Sequence, residues 1–208
     1  LGPYIVILAL VSSVYSAFVA MNQKDLKKMI AYSSVTHMGL VLLGIASLNQ
    51  IALAGAIYEM VAHGLISALM FTLAGMIHHS YGTRDVDKLS GLAIGTPRIG
   101  WILVIGSLAA FGLPTFAGFV AEFMILIGSY LALGAMVLPA LLAILVTAAY
   151  FLWMMQKVIF SESHSHGHDI GFSELLPIGM ILFFIVLLGV YPPILLNISN
   201  ALSINVFG

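Results

Sequence analysis

Four side chains able to exchange protons sit inside stretches otherwise built of hydrocarbon. They are His37 in SSVTHMG, Glu59 and His63 in YEMVAHGL, and Glu122 at the end of FGLPTFAGFVAEF. On insertion scales an ionised group at the middle of a membrane helix costs about 2.5–3.5 kcal/mol, so each needs a partner, water or a proton. One buried histidine can be a satisfied structural residue. Four such groups at similar depth on three separate helices suit a lateral chain that passes protons through intervening water. Glu59 and His63 are spaced i,i+4, so their side chains can meet on one helix face. Ser33 lies one turn before His37 and Thr36 lies beside it, placing hydroxyls where they can bridge to waters.

Glu122 follows a segment that breaks its own helix. Gly112, Pro114 and Gly118 fall within the apolar run 99–130, whose single carboxylate is Glu122. As one helix that run would be about 48 Å long, against a hydrocarbon core of about 30 Å. Two crossings do not fit in it, so the spacing predicts one long span broken near Gly112–Gly118. Pro114 removes a backbone donor and the glycines permit unwinding. Unwound backbone inside a membrane is tolerated where protein or water meets it, so the break is expected to face the bundle interior. Strong tilt with a mild kink is the alternative.

The elements that must carry these groups follow from composition. Of 208 residues 62% are hydrophobic and 7% charged, and mean hydropathy is +1.13. So few charges cannot coat a soluble domain of this size, and the long apolar runs do not alternate as barrel strands do. The fold class is an all-α membrane protein with about six transmembrane helices, near 2–21, 29–48, 52–78, 99–130, 136–159 and 174–197. Given six crossings, Lys24, Lys27, Lys28, Arg84, Lys88, Arg98 and Lys157 all fall on one side. The positive-inside rule makes that side cytoplasmic, with both chain ends outside. A net charge of -1 leaves no footprint for nucleic acid, and the absence of cysteine excludes a thiolate-held cluster in this chain. The start at Leu1, without a basic n-region, suggests a fragment of a longer chain.

Three further features have competing readings. Lys27 and Lys28 either set topology or form the cytoplasmic end of a proton path. His164, His166, His168 and Asp169 in SESHSHGHD have some metal-binding character, but fixed sites usually draw ligands from separate elements, so no metal is expected there. His37 and His63, one on each of two helices, are also compatible with the axial ligands of a haem. No cofactor is expected.

The motifs KDLKKMIAYSSVTHMGLVLLGI, MVAHGLISALMF and GLPTFAGFVAEFMILIGS resemble the second half of the antiporter-like proton-translocating subunits of respiratory complex I, most of all the NuoM type. The resemblance runs from about residue 5 to residue 197. These subunits are related to Mrp antiporters and to subunits of membrane-bound hydrogenases. The resemblance implies a fold of two inverted five-helix repeats, of which residues 1–160 form the second. Residues 161–173 are then a His-rich cytoplasmic loop, and 174–208 the final transmembrane helix and tail. It implies that the broken helix is the fourth span, that His37 and His63 are central relay residues, and that Glu122 is the terminal carrier. Most relatives have lysine at that last position; the NuoM type has glutamate. Glu59 stands where a neutral residue is expected, so its role rests on spacing alone.

The expected function is a proton-translocating membrane subunit of a complex I-like oxidoreductase, driven by redox chemistry in other subunits. The relay would comprise His37, His63, Glu122, Glu59, Lys27 and Lys28, with Ser33 and Thr36 in support. The alternative is an Mrp-like sodium/proton antiporter module. Expected partners are the bilayer, other membrane subunits and a polypeptide supplying the first repeat, with protons or sodium ions as cargo. The expected location is a prokaryotic cell membrane.

Overall fold

The computed structural model describes residues 2–162 and 167–207, with side chains up to residue 204. The fold is all-α. In order the helices are α1 (Gly2–Met21), α2 (Leu26–Ala46), α3 (Gln50–Tyr81), the short α4 (Leu92–Gly95), α5 (Pro97–Ala110), α6 (Ala117–Leu133), α7 (Leu138–Met154), α8 (Phe172–Val190) and α9 (Pro193–Phe207). Five helical stretches are long and apolar enough to cross a membrane: α1, α2, α3, the run Ala117–Ile159 that contains α6 and α7, and α8. Pro97–Ala110 is apolar but shorter. Large apolar side chains such as Tyr4, Leu8, Leu131, Leu145 and Phe183 stand exposed along these helices. That is the surface expected of a chain whose solvent is lipid.

Local chemistry sets the helix ends. Asp25 caps α2 by accepting from the Lys28 amide at 3.1 Å, and Asn49 caps α3 by accepting from Ile51 and Ala52. Each supplies an acceptor for the orphan donors of a first turn. Gly82, at φ 69°, closes α3 and donates to the His78 carbonyl. Pro97 opens α5, where its missing amide costs nothing. The last apolar run is not continuous to residue 197. Helix α8 stops at Val190, Pro192 and Pro193 follow, and α9 starts afresh and packs against α3.

Helix α3 is the hub, in contact with α2, α5, α6, α8 and α9, while α1 packs on α2 and α7. Small residues permit these approaches. Gly55 lies against the backbone of α6, where an added Cβ would come within 2.8 Å of the Ile125 amide nitrogen. Gly128 sits in turn on the backbone at Ala52. These two close approaches, at Ala121–Ile125 and at Gly128, hold α6, and with it Glu122, against α3.

Between α5 and α6 the chain leaves the helix. Gly112 has φ 71° and Thr115 φ 103°, both in the region that disfavours side chains with a Cβ. The segment keeps a few backbone bonds, Leu113 N to Leu108 O at 3.1 Å and Phe116 N to Leu113 O at 3.2 Å. It faces inward only at its two ends. Gly112 turns toward Glu122 and Gly118 packs on the Ala109 carbonyl, whereas Leu113, Pro114 and Thr115 are exposed on this chain's surface. At Gly189, α8 lies directly on the backbone of Thr115 and Phe116 and covers part of the turn.

Candidate proton-relay site

The four ionisable groups converge on His37. Helix α2 places His37 where α3 and α6 cross it, and its Nδ1 lies 3.3 Å from Glu59 Oε1 and 3.4 Å from Glu122 Oε1. All three residues are at most 5% exposed. The His63 ring stacks on the His37 ring at 4.7 Å between centroids, tilted by 30°. The Glu122 carboxylate rests on Gly112, and the Ala110 carbonyl at the end of α5 also interacts with His37. The helix break is therefore part of the wall of the site.

The pairing differs from the one that helix spacing suggests. Glu59 does not meet His63. His63 Nε2 is hydrogen-bonded to Ser67 Oγ at 2.8 Å, one turn on, and Glu59 reaches across to α2 instead. The groups touch directly, with no gap that water must span between them. Contacts of 3.3 and 3.4 Å are slightly longer than a good charge-assisted hydrogen bond, so neither carboxylate has captured the imidazole. His37 Nδ1 and Glu59 Oε2 accordingly have no hydrogen-bond partner although both are buried.

The remaining expected residues lie apart from this cluster. Lys27 and Lys28 are exposed at the start of α2, in no ion pair among the described residues. Ser33 donates to the Ile30 carbonyl at 2.8 Å, and Thr36 donates to Tyr32 and shares a 2.9 Å bond with Ser16. Both hydroxyls are thus engaged away from His37. His164 and His166 lie outside the described residues. The Asp169 carboxylate is already used: it accepts from the Arg98 and Ile99 amides at 2.9 and 3.2 Å and caps α5. His168 is held by its carbonyl, which accepts from Ser80. One ionisable residue absent from the sequence expectations is Tyr150 of α7, whose side chain is wholly buried. Its phenol, three residues after Thr147 in an apolar helix, was the available signal.

The chemistry open to the cluster follows from charge. Two carboxylates and one imidazole are neutral together when they hold two protons beyond the neutral ring. That pair can be distributed as two acids beside neutral His37, or as one acid and one carboxylate beside an imidazolium. The distributions differ in where a proton sits but not in net charge, which keeps exchange cheap in a dry interior. A haem between His37 and His63 does not fit, because a macrocycle must pass between its axial rings and these are in contact. Donor atoms of His37, Glu59 and His63 lie within 4.8 Å of one another, a set that zinc favours. Here His63 Nε2 is hydrogen-bonded to Ser67, and Glu59 Oε1 faces His37 at 3.3 Å.

Fold and site together define a membrane-embedded, antiporter-like helical bundle with a buried carboxylate–histidine cluster. Residues 1–151 match the family of NADH:quinone oxidoreductase/Mrp antiporter transmembrane proteins, and the chain belongs to that family. It is 41% identical over 203 residues to F(420)H(2) dehydrogenase subunit M of Methanosarcina mazei, covering 95% of this chain and 41% of that protein. Among solved structures it is similar to a chain of respiratory complex I from Thermus thermophilus, with TM-score 0.91 and 31% identity over 97% of this chain and 44% of that one. It also shares its fold with a chain of the Mrp complex from Dietzia sp., at TM-score 0.87 and 21% identity over 98% of this chain and 47% of that one. The chain thus spans about two-fifths of the length of the curated relatives it matches.

Proposed function

We propose that this chain is the part of a complex I-like oxidoreductase that carries protons across the membrane, with the redox chemistry performed by other subunits. The observation that carries the reading is the position of His37 Nδ1 between Glu59 and Glu122. A proton leaving the Glu122 carboxyl forms an N–H bond at Nδ1. That bond then breaks as the proton passes to Glu59, and the reverse transfer uses the same atoms. Glu122 rests on the turn at Gly112, so any movement of that turn changes its distance to His37 and its access to water. Glu122 is the terminal carrier and His63 extends the relay laterally. Lys27 and Lys28, being exposed, serve the basic face, which is the cytoplasmic one. Residues 1–160 act as the second of two inverted repeats, 161–173 as the loop after it and 174–208 as the closing helical segment. The first repeat and its ionisable residues come from sequence beyond these 208 residues. The location is a prokaryotic cell membrane and the cargo is the proton.

The test is Glu122→Gln in the full-length chain within its assembled complex. Proton uptake by membrane vesicles during turnover should fall at least tenfold, and Glu59→Gln should lower it less. Pumping at the wild-type rate by Glu122→Gln overturns the assignment. Sodium uptake that survives a protonophore would move the cargo to sodium.

A further inference from the structure

Helix α8 ends in a way that leaves carbonyls without donors. In a continuing helix the Leu188 and Gly189 carbonyls would accept from the amides of residues 192 and 193, and both of these are proline. The amide before them, Tyr191 N, bonds to Leu187 O at 2.8 Å. The Leu188 carbonyl is thus an orphan acceptor at a helix end, and Leu188 is buried. Its donor comes from 130 residues away, the Tyr58 hydroxyl of α3, at 2.6 Å. Tyr58 is itself fully buried. Leaving such a carbonyl unpaired in the interior is costly, so this bond ties the end of α8 to α3.

Gly189, the next residue, is where α8 touches the helix break. A Cβ there would overlap the Thr115 carbonyl oxygen and stand 2.5 Å from the Phe116 carbonyl carbon, so the two backbones are in direct contact. Thr115 has φ 103°, a conformation that persists only where its surroundings hold it. Helix α8 supplies that hold on one side. At the other end of the same turn Gly112 lies against the Glu122 carboxylate. Tyr58 and Leu188 also share a buried apolar cluster with Ala117 and Ala121 of α6, the latter next to Glu122. Tyr58 in turn adjoins Glu59, which faces His37. The contacts close a ring, from Glu59 and Tyr58 through α8 to the turn, on to Glu122, and through His37 back to Glu59.

We propose that Tyr58 is a positioning residue for Glu122. Its hydrogen bond seats the end of α8 on the Thr115–Phe116 backbone, and that seat sets the turn against which the Glu122 carboxylate lies. The inference rests on the proton-relay reading above. Tyr58 carries no proton in the relay; it keeps Glu122 at its 3.4 Å from His37 Nδ1.

Tyr58→Phe in the full-length chain within its assembled complex removes the donor and keeps the ring in its cluster. Proton uptake per turnover in membrane vesicles should fall roughly fivefold, the factor that one net hydrogen bond carries. Its pH profile should shift as well, because Glu122 and His37 no longer meet at the same distance. Wild-type pumping by Tyr58→Phe overturns the proposal. So does a loss with the pH profile unmoved, which is what a merely structural role produces. Gly189→Ala presses on the turn from the α8 side and should move the same profile; an unmoved profile there breaks the route through α8 and also overturns the proposal. Glu122→Gln in the same vesicles separates the two readings. If it is inactive while Tyr58→Phe pumps as wild type, only the role of Tyr58 falls. If Glu122→Gln pumps as wild type, the relay reading falls and the positioning role with it.

Discussion

The α-carbon of Gly112 lies against the carboxylate of Glu122, so closely that a Cβ there would stand 2.5 Å from Oε2. The residue that lets the chain turn and the residue that titrates are thus in contact, ten positions apart. Gly112 meets two demands at once, a φ of 71° and the absence of a side chain.

Gly112→Ala should therefore do more than strain the turn. The left-handed backbone costs about 1–2 kcal/mol for a residue with a Cβ, and the new methyl also pushes Glu122 away from His37. Translocation is expected to fall toward the level of Glu122 variants. Shortening the acid should relieve the clash, so Gly112→Ala combined with Glu122→Ala should be more stable than the sum of the single changes. A coupling of about 0.5–3 kcal/mol in a double-mutant cycle of thermal unfolding is the range for residues in contact. Strict additivity would show that the two do not press on each other.

Much of this site was legible in the sequence. A carboxylate or imidazole in an apolar run, and Gly and Pro inside a span too long for the bilayer, stand out by type alone. The partners did not. Spacing on one helix joins Glu59 to His63, but the crossing of α2 over α3 brings His37 to Glu59, and Ser67 takes His63. Ser33 and Thr36 looked like supports for His37 because they neighbour it in sequence, yet both return a bond to their own helix. Asp169 looked like a companion of histidines and is the cap of α5, reaching an amide 71 residues away. Tyr150 was hidden because a tyrosine counts among the apolar residues until its hydroxyl is known to be buried. Each miss concerns a contact between elements, which periodicity along one element does not encode.

The close approach of α3 and α6 yields a prediction about stability. Gly55→Ala places a methyl within 2.7 Å of Met124 Cβ and 2.8 Å of the Ile125 amide nitrogen, against backbone that cannot rotate away. Overpacking of this kind typically costs about 1–3 kcal/mol, and Gly128→Ala should behave alike. Gly64 and Gly75 are on the same helix as Gly55 with nothing within 4 Å of a built Cβ. Alanine there should be neutral or stabilise by up to about 1 kcal/mol, through helix propensity. Thermal unfolding of the four variants in lipid nanodiscs separates the two groups; equal effects at all four would contradict the packing.

The basic face is tied together by Asp87, and its behaviour with pH can be reasoned in sign. Asp87 accepts from Lys157 at the end of the α7 stretch and lies 3.0 Å from Lys24 Nζ in the α1–α2 turn. Hydrogen bonds from Lys157 and Lys24 hold its carboxyl below the ordinary value of 3.8, and the same carboxylate holds Lys24 above 10.5. A lowered acid contributes stability that is present above its unfolded value and lost as pH falls through the folded one. A raised amine contributes below its unfolded value and loses it as pH rises through the folded one. The clamp is therefore at full strength between those limits, and it fades in acid below 3.8 and in alkali above 10.5. The groups are solvent-exposed, so salt should weaken the clamp as surface pairs are weakened. Asp87→Asn should lower the melting temperature slightly at neutral pH and low salt, and the difference from wild type should shrink in molar sodium chloride. A wild-type advantage that persists unchanged at high salt would mean that Asp87 holds the loop by packing and not by charge.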